Sequence, residues 1–237
     1  MKIYAVKIDQ NFAENLIREL MPYVSREKQE KIGRFRKPID SLRSLLGDLI
    51  IRLLLCSHYG FQNEKISYEY GQYGKPFLSE SPHLHFNISH SGNWVIGVVA
   101  EHKVGIDIEK ITDMKPELCS LAFTEKENEM LQKLSPQERK KMFFELWTVK
   151  ESYIKATGKG LSEGLNTLEV MKERDLIRIQ KDGKNTTSYF ETFEMIGGYM
   201  ISLCSFSLIF NKNIELTTLD SFMNQVQSIF KPTIFKV

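Results

Sequence analysis

The sequence predicts an α+β protein of two similar halves, each a long helix followed by a small antiparallel sheet. A long helix is predicted in each half, over Asp40–His58 and over Pro136–Thr157. After each helix comes strand-like alternation broken by Gly and Asn turns. Ser91-Gly92-Asn93-Trp94-Val95-Ile96 is also echoed, weakly, by Ile196-Gly197-Gly198-Tyr199-Met200-Ile201. These observations place a boundary near Lys110, between segments 1–110 and 111–237.

The elements follow in order. Met1–Ile8 alternates as a short strand. Ser25 is placed to cap a basic helix holding Lys28, Lys31, Arg34 and Phe35, and Pro38 is expected to end it. Asp40 opens the next helix, with Leu42, Leu45, Leu46, Leu49 and Ile50 at helical spacing and Gly60 as its stop. Leu84–Ser89 reads as a strand, His90-Ser91-Gly92-Asn93 as a turn, and Trp94–Glu101 and Val104–Glu109 as two more strands. The polar stretch Lys110–Glu117 reads as a loop. Helices are expected near Glu125–Lys133 and over Pro136–Thr157, the latter closed by Gly158-Lys159-Gly160. Strand patterns return at Leu168–Lys172, Leu176–Gln180, Tyr189–Met195 and Tyr199–Phe206.

Composition narrows the class. Of 237 residues, 42% are hydrophobic and 26% charged, an ordinary globular balance that argues against disorder. The 32 basic and 30 acidic side chains nearly cancel, so no bulk field suits nucleic acid, and an anion site must be a local cluster. Cys56, Cys119 and Cys204 are far apart and form no disulfide or zinc pattern. Asp9, Glu14, Arg18 and Glu19 argue against a signal peptide. The apolar run Leu49–Leu55, interrupted by Arg52 and preceded by Asp48, is too short to span a bilayer. A cytoplasmic protein without membrane or nucleic-acid partners is expected.

Two carboxylates stand out. Asp107 and Glu109, two apart on one strand, share a face, while Ile106 and Ile108 fill the other. Covered on both sides, the pair repels unless a cation joins it, and Mg²⁺ takes such oxygen ligands; a solvated strand face fits the spacing equally. Trp147, Glu151 and Lys155 line one helical stripe. That stripe is either an ordinary Glu–Lys pair or a third carboxylate with a lysine beside it for phosphate charge.

Three clusters suit phosphate oxygens. Lys28 and Lys31 are helix neighbours, with Arg43 and Ser44 on the next helix. Gly74-Lys75-Pro76 is a tight turn presenting a lysine, and Ser89-His90-Ser91 offers hydroxyls and an imidazole. Each also reads as an ordinary basic helix, turn or hairpin.

Together the motifs resemble a known family. Phe86-Asn87-Ile88-Ser89-His90-Ser91, Gly105-Ile106-Asp107-Ile108-Glu109, Trp147-x-x-Lys150-Glu151-Ser152-Tyr153-x-Lys155 and the earlier Gly74-Lys75-Pro76 are similar to the signature of the surfactin-type (Sfp-type) 4′-phosphopantetheinyl transferases. Within that family the chain resembles the bacillar enzymes serving peptide-antibiotic synthetases, the one acting with gramicidin S synthetase among them. The likeness runs from Met1 to about Ser221.

The resemblance implies a monomer of two pseudo-symmetric α+β lobes with coenzyme A between them. It implies transfer of the phosphopantetheine arm to a serine of a peptidyl or acyl carrier protein, with release of adenosine 3′,5′-bisphosphate. By position, Asp107, Glu109 and Glu151 would be Mg²⁺ ligands, and Lys28, Lys31, Ser44 and His90 would hold the 3′-phosphate. Tyr73, Gly74, Lys75 and Pro76 would meet the adenine, and Ser89 would touch phosphate. Glu127 matches a further acidic position near the site. Glu151, held ionised by Lys155, or a metal-bound water is the candidate base. A carrier is expected to dock on Ile111–Thr124, at Met114, Leu118 or Leu121.

Two rivals remain. A metal-dependent phosphohydrolase or nuclease of the Glu-x-Lys type wants a lysine two residues after the glutamate, but Lys110 is adjacent to Glu109 and points away. A non-catalytic coenzyme A-binding module would be expected to lose a carboxylate, and all three are present.

Overall fold

The computed structural model describes residues 1–8, 13–113, 116–174, 176–208 and 213–231. It is a mixed helix and sheet structure, as the sequence predicts. Contacts divide it elsewhere than at Lys110. One unit comprises Met1–Glu69, Phe77–Val99 and Asn211–Val237, the other Tyr70–Pro76 and Ala100–Phe210.

The first unit begins with strand β1 (Lys2–Lys7), whose Ile3–Val6 are buried on both faces. Helix α1 (Ala13–Leu20) follows, burying Ala13, Leu16 and Leu20 along one stripe. Helix α2 (Arg26–Ile32) starts where the Ser25 hydroxyl accepts from Lys28 N. Pro38, expected to end this helix, instead opens the next one, α3 (Pro38–Tyr59). At the first helical position its missing N–H costs nothing, and its fixed φ suits the turn. Asp48 and Arg52, which interrupt the apolar run, pair at i, i+4 inside it. Arg52 Nε donates to Asp48 Oδ2 at 2.7 Å, and Nη1 donates to Asn63 O at 3.0 Å. A buried charge pair survives only with its hydrogen bonds satisfied in this way.

A hairpin the sequence pattern does not announce follows, β2 (Tyr68–Tyr70) and β3 (Pro76–Leu78). Its tip is closed by Gly71 N to Lys75 O at 3.0 Å. Strand β4 (His85–Ser91) runs on through His90 and Ser91, so the expected four-residue turn is reduced to Gly92-Asn93. Strand β5 (Trp94–Ala100) completes this segment.

The second unit takes in the hairpin tip, Tyr70–Pro76, and continues with β6 (Val104–Lys110). Helix α4 (Pro116–Ala122) begins inside the stretch expected to be loop, again on a proline. Helices α5 (Glu125–Gln132) and α6 (Pro136–Thr157) and strands β7 (Leu168–Glu173), β8 (Leu176–Lys181), β9 (Lys184–Asn185), β10 (Tyr189–Met195) and β11 (Tyr199–Ser205) fill the rest. Strands β10, β11 and β6 form one sheet, with Ser202 opposite Asp107, and β7, β8 and β9 form another. Helix α6 lies on β6 and β11, where Thr148 and Ser202 share a 2.7 Å hydrogen bond.

The chain then returns to the first unit. Strand β12 (Ile214–Thr218) pairs in parallel with β1, Ile3 opposite Ile214, while β5 flanks β1 antiparallel. The order is β12-β1-β5-β4, so the antiparallel sheet expected in this half is mixed. Helix α7 (Leu219–Ile229), capped by Thr218, sinks Phe222 and Val226 fully into the first core, with Phe230 close behind. The boundary near Lys110 fails in both directions for these reasons. β6, with Asp107 and Glu109, is bound by hydrogen bonds to β11, and the C-terminal segment completes the first sheet.

Candidate active site

The site is built where α6 crosses β6. A Cβ on Gly105 would lie 2.0 Å from Ser152 O, so only glycine lets the helix backbone come this close. Alternation then turns Asp107 and Glu109 to the same helix-facing side, and Ile106 and Ile108 are fully buried on the other. Asp107 is buried and Glu109 half-buried. On α6, Lys155 Nζ donates to Asp107 Oδ1 at 2.5 Å. Glu151, one turn earlier, has its proton affinity raised above the usual carboxylate range. Burial is the larger cause and the charge of Asp107 the next, and Lys155 opposes both. The expectation that Lys155 holds Glu151 ionised is thus outweighed. Trp147, on the same stripe, stacks on Phe143 and belongs to the core.

Among the described residues, no three His, Cys, Asp or Glu side chains are gathered as a metal site. The structure brings Asp107, Glu151 and Lys155 together, with the Asp107 carboxylate engaged by the lysine. Chemically the donors still fit a hard divalent cation. The expected ligands Asp107, Glu109 and Glu151 are all carboxylates, and the repulsion between Asp107 and Glu151 is what such an ion relieves.

Glu127 is placed otherwise than the sequence suggests. Its Oε2 accepts from Lys150 Nζ at 2.5 Å and from Thr124 N at 2.8 Å, and its Oε1 accepts from Val170 N at 2.9 Å. Lys150, fully buried, also donates to Ala122 O at 2.8 Å and Leu165 O at 3.2 Å. With both oxygens held, Glu127 ties α5 to α6 and β7 and is not free to act as an acid or base. The Thr124-x-x-Glu127 capping-box spacing is the signal that could have found this role.

In the first unit, Lys28 Nζ donates to Ser44 Oγ at 3.0 Å. Burial lowers the affinity of Lys28 for its proton; Asp48 opposes this, while Lys31 and Arg52 add to it. Lys31 and His90 are exposed, and Ser89 is buried. Arg43 Nη2 donates to Gly92 O at 2.7 Å and so pins the β4–β5 turn. In the second unit, the hairpin tip exposes the Tyr73 ring. The Lys75 ammonium, expected near adenine, instead donates to Lys155 O at 2.5 Å, Ala156 O at 3.1 Å and Val104 O at 3.4 Å. Of the expected docking residues, Leu121 is exposed; Met114 and the Leu118 side chain lie outside the described residues.

Comparison with known proteins gives the family. Residues 103–204 match the model of the 4′-phosphopantetheinyl transferase superfamily, and residues 13–103 match that of the N-terminal region of 4′-phosphopantetheinyl transferases. The chain is 33% identical over 224 residues to the 4′-phosphopantetheinyl transferase Sfp of Bacillus subtilis (strain 168), covering 94% of this chain and 100% of that one. It is 38% identical over 210 residues to the 4′-phosphopantetheinyl transferase gsp of Aneurinibacillus migulanus, covering 88% of each. With psf-1 of Bacillus pumilus it shares 32% over 240 residues, covering 97% of this chain and 100% of that one. By motif, family model and near-complete alignment, the chain belongs to the Sfp-type 4′-phosphopantetheinyl transferases.

Proposed function

We propose that this transferase moves the phosphopantetheine arm of coenzyme A onto a serine of a peptidyl or acyl carrier domain, in service of nonribosomal synthesis of a peptide antibiotic. The observation that carries the reading is the Asp107–Glu151–Lys155 cluster, two mutually repelling carboxylates and an ammonium where α6 meets β6. Mg²⁺ held by Asp107, Glu109 and Glu151 would neutralise charge on the pyrophosphate. Lys155 brings a further positive charge to the same oxygens. The carrier serine is a weak nucleophile and needs a base. Glu151 or a metal-bound water is read as that base. The other product is adenosine 3′,5′-bisphosphate.

Lys28, Lys31, Ser44 and His90 are read as the 3′-phosphate site, supported by the like-charge strain between Lys28 and Lys31 that an anion would relieve. Tyr73 offers its exposed ring to the adenine, with the main chain of Gly74, Lys75 and Pro76 beside it. Leu121 offers the carrier an apolar contact on α4. The reading takes the enzyme as a monomer with an internal repeat. For the repeat, the support is that α3 and α6 are each 22 residues long, start on a proline and end on a left-handed glycine. The relatives favour neither a metal-dependent phosphohydrolase nor a non-catalytic coenzyme A-binding module.

The test is direct. Pure protein, coenzyme A, Mg²⁺ and an apo carrier domain are mixed and the carrier is weighed by mass spectrometry. A gain of one phosphopantetheine, lost on addition of EDTA, is expected. No gain would refute the transfer, and a gain indifferent to EDTA would remove the metal from the reading.

A further inference from the structure

Lysine 75 does something that neither its motif nor its place in a turn suggests. Helix α6 ends at Thr157, and the carbonyls of its last turn have no backbone N–H partners within the helix. Gly158 N satisfies Ile154 O at 2.9 Å. The next two, Lys155 O and Ala156 O, are both taken by the Lys75 ammonium, which arrives from the hairpin tip. A positive charge at a helix C-terminus also meets the negative end of the helix dipole. The same ammonium reaches Val104 O at the start of β6. One cation therefore holds the end of the helix that carries Lys155 and the start of the strand that carries Asp107.

The path of the side chain is built for this contact. Gly158 adopts φ 75°, and a Cβ there would lie 2.9 Å from Lys75 Cδ. The stem of Lys75 lies over the one residue in the cap that leaves it room. Without the ammonium, two carbonyls of the last turn lose their partners, and helix ends fray first when this happens. Lys155 sits in that turn, with its own ammonium on Asp107.

We propose that Lys75 is a positioning residue: it fixes the last turn of α6 against β6, and the placement of Lys155 at Asp107 therefore depends on the hairpin tip. The proposal rests on the role given above to Lys155. It also gives the tip two tasks, its main chain facing coenzyme A while its lysine sets the transfer machinery.

A double-mutant cycle tests it, using wild type, Lys75→Met, Lys155→Met and the double variant. Methionine keeps an unbranched stem over Gly158 and removes only the charged donor. Lys75→Met is expected to leave KM for coenzyme A within about twofold and to lower kcat by about ten- to a hundredfold, the scale of a small misplacement. In the Lys155→Met background the same change is expected to cost no more than about twofold, because the group it positions is already gone. An equal loss in both backgrounds overturns the proposal and makes Lys75 a general support of the fold. A raised KM with unchanged kcat also overturns it and puts the ammonium on coenzyme A. If Lys155→Met itself turns over like wild type, the reading of Lys155 falls, and the positioning role with it. Should Lys75→Met not fold, Lys75→Leu, which also removes the charged donor and leaves Gly158 untouched, enters the same cycle.

Discussion

Asp107 is the residue on which the chemistry turns. It is buried, it holds Lys155, and its charge raises the proton affinity of Glu151. Asp107→Ala should therefore fold, because it relieves repulsion as well as removing an ion pair, yet lose at least about a thousandfold in kcat, as when a strong charge-stabilising group is removed. Turnover near wild type, measured with the melting temperature unchanged, would contradict its assignment. Lys75 carries a different prediction. Burial pushes it down to about 8 from its ordinary 10.5. Between those values the unfolded chain binds the extra proton, so stability rises with pH, and the cost of burying the charge is fully present below about 8. Relative to Lys75→Met, the wild type should thus gain stability from pH 8 to 10, by up to about 1.4 kcal/mol per pH unit. Urea unfolding of both proteins across that range checks it, and a constant difference would contradict it. The two residues differ in how legible they are. The periods of strand and helix put Asp107 beside Glu109 on one face and Glu151 beside Lys155 on one stripe, and the family resemblance is what joined them into a site. The task of Lys75 does not, because its carbonyl acceptors belong to a helix far along the chain and leave no mark in side-chain pattern.

At the scale of elements, α2 and α3 carry the anion cluster. Lys28 donates to Ser44 across the two helices, and Lys31 sits one turn along from Lys28. If these read the 3′-phosphate, dephospho-coenzyme A should be a poor substrate for the wild type. Lys28→Ala/Lys31→Ala should narrow the gap between the two substrates, since only one of them carries the lost contact. Ratios of kcat/KM for both substrates and both proteins decide this, and an unchanged ratio would move the site elsewhere. The long helices were readable because twenty-odd residues of apolar periodicity outweigh any local ambiguity. Helix α1, at eight residues, offers only two turns of pattern, and the β2–β3 hairpin only three residues a side. Such elements owe their existence to what they pack on. Pro38 misled for a related reason. It begins a helix, and a proline read without its neighbours signals an end as readily as a start.

For the whole molecule, the least legible feature was the return of the chain. Nothing in the pattern of Ile214–Thr218 says that its partner is β1, since a parallel pair between distant segments has no turn to announce it. The pattern of Leu219–Ile229 assigns no element, and the core that α7 enters leaves no mark in it. Phe222 is fully buried against Tyr4, with ring centroids 5.9 Å apart. Phe222→Ala should cost about 3–5 kcal/mol, the usual loss for a buried aromatic. Denaturant unfolding checks this, and a loss under about 1 kcal/mol would mean that α7 is dispensable to the first core.

That return also sets an order of events during synthesis. As the polypeptide leaves the ribosome, the strand at Lys2–Lys7 emerges first but must wait for Ile214–Thr218 before its sheet has both neighbours. The second unit draws on Tyr70–Pro76 and Ala100–Phe210 and needs nothing made later. Translation therefore delivers the unit bearing Asp107, Glu151 and Lys155 complete while the older N-terminal segment is still unfinished, against the usual precedence of the N-terminus. Nascent chains stalled once the second unit is clear of the exit tunnel should resist protease across Ala100–Ser205 while Met1–Glu69 is cut.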